Sequence, residues 1–164
     1  MFNRQNKKDR RKGNNKGFSL VELIVVIAIM AVLVAVLAPQ FTKYIDQSRK
    51  SNDAATVSGI VTAAQVGIAD TTNYTIDEAI YTITLTKSNP AVVKEGSSEI
   101  TADGSKNLAD AIVAACGPLA NLKITSSNWK DEDASNANQV VITVTYQNGA
   151  VTVGYSKDFA AYIQ

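Results

Sequence analysis

The sequence predicts an α+β fold in which a long kinked N-terminal helix, membrane-spanning in its first half, packs on a small antiparallel sheet. Three observations carry that expectation. Residues 23–38 hold no polar side chain, apolar residues recur at helical spacing beyond Pro39, and an Asn-Gly pair separates two strand-like runs near the C-terminus.

The composition sets the outer limits. With 164 residues, 46% of them apolar, the chain has the balance of a folded domain. It has no histidine and one cysteine, so His-based triads, most zinc chemistry and an internal disulfide are excluded. The 16 basic and 15 acidic residues are unevenly placed. Arg4, Lys7, Lys8, Arg10, Arg11, Lys12 and Lys16 against Asp9 give residues 1–17 a net +6 and leave −5 for the rest. An acidic body has no general attraction for a phosphate backbone, so no nucleic-acid partner is indicated.

Residues 18–38 carry a single charge, Glu22. At about 1.5 Å per residue, 21 helical residues span roughly 32 Å, which matches a hydrocarbon core of about 30 Å. The preceding Lys and Arg place residues 1–17 on the cytoplasmic side and everything after Ala38 on the other. Two alternatives compete with a membrane span. A buried core helix with apolar groups all round needs more cover than the remaining chain comfortably supplies. A secretory signal ending at Val36-Leu37-Ala38 meets Pro39, whose nitrogen has no N–H and whose φ is fixed, a poor fit to an extended protease cleft.

The junction Lys16-Gly17-Phe18-Ser19-Leu20-Val21-Glu22-Leu23 resembles the processing site of type IV prepilins, and the resemblance extends over residues 17–38, Pro39 and the helical stretch beyond. It implies that a membrane-embedded prepilin peptidase cuts between Gly17 and Phe18, and that the new amine of Phe18 is then methylated. It also implies a long helix on a small sheet and a chain that is not itself an enzyme. Many pilins close a C-terminal loop with two cysteines, whereas this chain has only Cys116. The long leader and the missing disulfide fit pilins of Gram-positive type, and the C-terminal region must then be held by packing and backbone hydrogen bonds.

Each junction residue also has a plainer reading. Glycine at 17 lets the chain lie flat in a protease site, and alone it reads as a breaker between a tail and a helix. Glu22 is an acid in an apolar segment, costing several kcal/mol unless neutralised or paired. It either snorkels to the headgroups or pairs with the freed Phe18 amine of an adjacent subunit, setting the axial register of a filament. Pro39 removes the hydrogen bond to the Ala35 carbonyl, so the helix either ends there or kinks and resumes. Phe41, Tyr44, Ile45, Ser48, Asn52, Ala55, Val57, Ile60, Ala64 and Ile68 favour resumption. The expected divisions are a cleaved leader, 1–17; a transmembrane and filament-core helix, 18–38; the second half of the helix, 39–70; and an α+β head, 71–164.

Within the head, residues 79–85 alternate as a strand, and residues 86–107 read as a long loop with a short strand at Ala91-Val92-Val93. Leu108, Ile112, Val113 and Cys116 mark one face of a short helix stopped by Gly117-Pro118, which makes Cys116 a core thiol. Residues 140–146 and 151–155 around Asn148-Gly149 predict a type I′ hairpin. Asp131-Glu132-Asp133 reads as a solvated acidic loop, without calcium-loop spacing. Asn73-Tyr74-Thr75 is a bare N-x-T match. No cofactor or metal is expected.

The expected function is a structural subunit of a type IV pilus, a surface filament for adhesion, motility or biofilm, polymerising through its apolar helix. Self-association, the peptidase, an N-methyltransferase, assembly machinery and the membrane are the expected partners. The precursor is expected in the cytoplasmic membrane and the assembled subunit outside the cell. The alternatives are a pseudopilin or minor pilin of a type II secretion system, and a single-pass anchored binding module.

Overall fold

A computed structural model describes residues 17–129 and 138–164. The described elements, in chain order, are α1 (Leu20–Ala69), β1 (Ile80–Thr86), β2 (Val92–Glu95), β3 (Ser98–Ile100), α2 (Leu108–Cys116), a single 3-10 turn (Leu119–Asn121), β4 (Gln139–Gln147), β5 (Ala150–Tyr155) and α3 (Lys157–Ile163). They fall into two compact units, the first ending at Phe41 and the second running Thr42–Gln164.

In the first unit every residue of α1 from Leu20 to Phe41 is exposed. The all-round apolar surface read from the sequence is therefore uncovered among the described residues of this unit. Among the described residues, α1 is the one helix long and apolar enough to cross a membrane. It contains Pro39, so the proline does not terminate it. A missing N–H and a displaced carbonyl cost one turn of bonding, which the flanking helix formers tolerate here.

The second unit is built on the C-terminal part of α1, whose Val57, Ile60, Val61, Ala64 and Ile68 are buried. The predicted stripe is right from Val57 onward. Phe41, Tyr44, Ser48, Asn52 and Ala55, expected on the same face, are exposed, and Ile45 is largely so. The covered face begins instead at Asp53, a position that an apolar count passes over. The helix ends where the Asp70 carboxylate accepts the Thr72 and Asn73 N–H groups at 3.2 and 3.1 Å, and the Asn73 side-chain amide at 2.7 Å. The Asn73 bonds hold the Asp70 carboxyl below its ordinary range.

The sheet is antiparallel throughout, in the order β3-β2-β1-β4-β5. Strand β1 is central because its Tyr81, Ile83 and Leu85 face the core while Thr82, Thr84 and Thr86 face outward. In β4, Val140, Ile142 and Val144 answer them, with Ile83 opposite Ile142 on one side and opposite Val93 on the other. The β4–β5 hairpin forms as expected. Asn148 at φ 51° and Gly149 at φ 73° give the doubly left-handed turn that matches strand twist.

Helix α2 occupies the predicted range. Asn107 and Asp110 cap it reciprocally, the Asp110 N–H donating to Asn107 Oδ1 at 3.0 Å and the Asn107 N–H to Asp110 Oδ2 at 3.1 Å. Gly117, at φ 86°, follows it. Residues 86–107, expected as mostly loop, contain the β2–β3 hairpin, which turns at Gly96-Ser97. Only Val93 of that hairpin is buried in the strands themselves, so period-2 alternation had too few residues to register. The C-terminal α3 is a further element without a counterpart among the expected ones. It has seven residues and one buried anchor, Phe159, which packs 5.2 Å from Trp129 and 5.4 Å from Tyr155 between ring centroids.

Candidate functional site at the helix start

Gly17, Phe18 and Ser19 precede α1 in non-helical backbone, and Phe18 is 94% exposed. A Cβ added at Gly17 would meet no other atom, and the residue does not lie in the left-handed region. Among the described residues nothing demands glycine there. Lys16 and the rest of the basic stretch lie outside the described residues, as does Asp131-Glu132-Asp133.

Glu22 has a partner that neither sequence reading supplied. Its Oε2 accepts the Ser19 N–H at 2.8 Å, while Ser19 Oγ accepts the Val21 N–H at 3.3 Å and the Ser19 carbonyl accepts the Leu23 N–H at 3.2 Å. Ser19 and Glu22 thus form a reciprocal helix cap, and the carboxylate sits where the helix dipole is positive. The signal was present as Ser-x-x-Glu immediately before an apolar run. Pro39 lies exposed within α1.

The second unit holds a buried polar centre that sequence reasoning missed. Asp53 is fully buried. Its Oδ1 accepts the Thr125 N–H at 2.6 Å and the Thr125 hydroxyl at 2.8 Å; its Oδ2 accepts the Ser126 N–H at 3.0 Å and the Trp129 indole N–H at 2.8 Å. The Ser126 hydroxyl donates to Asp46 Oδ1 at 2.9 Å, and Lys50 Nζ lies 4.7 Å from the Trp129 ring centroid. Four donors satisfy both oxygens of this buried carboxylate. The segment after α2 is therefore fastened to α1 by side-chain carboxylates as well as by packing and backbone bonds, which amends the expectation for a chain lacking a disulfide.

The chemistry elsewhere is sparse. Among the described residues no group of three His, Cys, Asp or Glu side chains could hold a metal. Cys116 is half-buried, and burial pushes its thiol up from the ordinary value, away from a reactive thiolate. A shallow groove of about 530 Å³ runs beside it, lined by small residues including Gly59, Ala63, Gly67, Ala111 and Ala114.

Residues 12–38 match the family described as the prokaryotic N-terminal methylation motif. The chain is 28% identical over 140 residues to a fimbrial protein of Pseudomonas aeruginosa, covering 83% of this chain and 82% of that one. It is 34% identical over 100 residues to prepilin peptidase-dependent protein A of Clostridium perfringens, covering 60% of this chain and 68% of the relative. The chain belongs to the type IV pilin family. A more local similarity, 42% over 48 residues, links this pilin to the type IV narrow pilus major component of Thermus thermophilus, with 29% of this chain and 41% of that one covered. No solved structure matches it. The pilin has the family's long apolar helix, packed in its C-terminal part on an antiparallel sheet, and that helix suits membrane anchoring before assembly.

Proposed function

We propose that this pilin is made as a precursor, cut between Gly17 and Phe18 by a prepilin peptidase, methylated at the Phe18 amine, and polymerised through α1 as the major subunit of a surface filament. The reading is supported above all by one observation: an apolar helix exposed on every side from Leu20 to Phe41, preceded by a junction inside the matched methylation motif. In water such a surface cannot stand alone, so it needs lipid first and neighbouring helices afterwards. Removing residues 1–17 takes away a net +6 charge and leaves one amine, which loosens the hold of the membrane on the segment.

In this reading residues 1–17 are the cytoplasmic leader, 18–38 span the membrane and later form the filament core, 39–70 continue the helix past a bend at Pro39, and 71–164 form most of the outer head. Glu22 pairs with the Phe18 amine of a neighbouring subunit and penalises wrong registers, since an unmatched buried charge costs several kcal/mol. The chain acts as a substrate for the peptidase and methyltransferase and catalyses nothing itself. The single cysteine and long basic leader favour a pilin of Gram-positive type.

N-terminal sequencing and electron microscopy of sheared surface material, using antibody against residues 71–164, test the proposal. Labelled fibres whose subunits begin at methylated Phe18 are expected. Solitary molecules that keep residues 1–17 would refute it.

A further inference from the structure

The tip of the β4–β5 hairpin carries a reactive pair that filament assembly does not require. Asn148-Gly149 is the one Asn-Gly dipeptide in the sequence. An asparagine side-chain carbonyl can close a five-membered ring with the next backbone nitrogen, and glycine leaves that nitrogen free of a flanking side chain. Both residues are exposed, and a Cβ placed on Gly149 would touch nothing. Among the described residues the Asn148 side chain makes no hydrogen bond. Asn73 and Asn107 are better restrained. The Asn73 amide donates to Asp70 at 2.7 Å, the Asn107 amide donates to the Thr101 carbonyl at 2.8 Å, and these residues precede Tyr74 and Leu108.

We infer that Asn148 is a site of spontaneous covalent modification and that Glu78 sets its rate. The Gly149 nitrogen gives up its proton to solvent base and attacks Asn148 Cγ. A bond forms from that nitrogen to Cγ, the bond from Cγ to Nδ2 breaks, and Nδ2 takes up a proton and leaves as ammonia. Water then opens the succinimide at either carbonyl, giving aspartate or isoaspartate at position 148. Water is the sole co-reactant, and nothing is oxidised or reduced.

Glu78 bears on the first of these steps. Its Oε1 accepts the Gly149 N–H at 3.1 Å, so the proton that must leave is the one the carboxylate holds. Its negative charge also opposes the negative charge that develops on the nitrogen. The hairpin ladder adds restraint, pairing Gln147 with Ala150 across the turn. Glu78 therefore slows the reaction.

Modification would undo a specific connection. Isoaspartate inserts an extra methylene into the main chain of a two-residue turn, and either product places a new carboxylate at the tip beside Glu78. The tie from Gly149 to Glu78 lies next to another, from the Tyr146 N–H to the Ala79 carbonyl at 2.9 Å. Losing the first loosens the hairpin tip from the segment entering β1. The change is irreversible, so it records the age of a subunit. The inference stands independently of the filament reading.

The test is peptide mapping by mass spectrometry of the full chain in detergent micelles, aged at neutral pH, with aspartate and isoaspartate separated chromatographically. A gain of about 1 Da marks conversion. Asn148 is expected to convert at least roughly tenfold faster than Asn73 or Asn107, given its glycine neighbour. Glu78→Gln and Glu78→Ala are each expected to speed it about threefold or more, by removing the charge. Conversion of Asn148 no faster than that of Asn73 and Asn107 overturns the site. Equal rates in the parent and in Glu78→Gln, which keeps an acceptor and therefore the turn, overturn the role of Glu78.

Discussion

The indole N–H of Trp129 donates to Asp53 Oδ2 at 2.8 Å across 76 residues of sequence, in a site closed to solvent. This bond joins α1 to the segment leading into β4. It shares its carboxylate with the Thr125 and Ser126 N–H groups, so Asp53 is the single acceptor for three backbone or indole donors.

Replacing Asp53 with alanine leaves those donors without a partner. Burying an unsatisfied donor costs about 1–3 kcal/mol, and partial access of water to Thr125 reduces the total, so a loss of roughly 3–4 kcal/mol is expected. Asp53→Asn keeps one acceptor oxygen and should lose less. Denaturation of the detergent-solubilised chain followed by Trp129 fluorescence reads this directly, because Trp129 is the sole tryptophan. Parent-like stability of Asp53→Ala would show that packing alone holds the segment.

Two glycines of α1 should respond in opposite directions to the same change. A Cβ on Gly67 would fall inside van der Waals contact of the Ala111 Cβ, which is fixed to the α2 backbone and cannot rotate away. Overpacking of this kind costs about 1–3 kcal/mol, offset by roughly 1 kcal/mol of helix propensity. Gly67→Ala is therefore expected to destabilise the second unit. At Gly59 nothing lies within reach of a Cβ, so Gly59→Ala should stabilise by about 0.5–1 kcal/mol. Denaturation midpoints of the two variants moving the same way would contradict the packing of α2 on α1.

Tyr81 gives an alkaline signature. Burial first, then the charges of Glu95 and Asp77, push its hydroxyl up to about 12 from 10.0, although it donates to the Asp77 carbonyl at 2.8 Å. A raised pKa in the folded state means that folding holds the proton more tightly. The stabilisation is complete below pH 10, where both states are protonated, and is lost as pH rises from 10.0 to about 12. Tyr81→Phe should be slightly less stable near neutrality and should lose less stability across that window. Parallel stability curves for the parent and this variant would count against a buried hydroxyl.

The elements that could be read from sequence were those whose signal is local and repeated. Ile83 and Leu85 alternate with threonines, Asn148-Gly149 needs two left-handed residues, and Leu108 to Cys116 carries its own periodicity and stop. The elements that could not be read depend on partners distant in sequence. Val93 and Phe159 are single anchors in short elements, meaningful only beside Ile83 and Trp129. Asp53 carries no local signal, because its donors lie in a segment without regular structure more than 70 residues away. The Ser19–Glu22 cap at the helix start is local, and its Ser-x-x-Glu spacing before an apolar run is legible in the sequence.

That cap makes the role of Glu22 separable by substitution. Ser19→Ala removes the acceptor for the Val21 N–H and should weaken the helix start by about 1 kcal/mol, with fibre growth close to the parent. Glu22→Gln keeps an oxygen for the Ser19 N–H but removes the charge, whereas Glu22→Ala removes both. If the charge sets filament register, Glu22→Gln and Glu22→Ala should both be processed to the shortened mass and both grow short, sparse fibres. Fibres of parent length from Glu22→Gln, with short ones from Glu22→Ala, would instead assign the residue to capping its own helix. Gly17→Ala should differ from all of these by accumulating the uncut membrane form, because its defect precedes assembly.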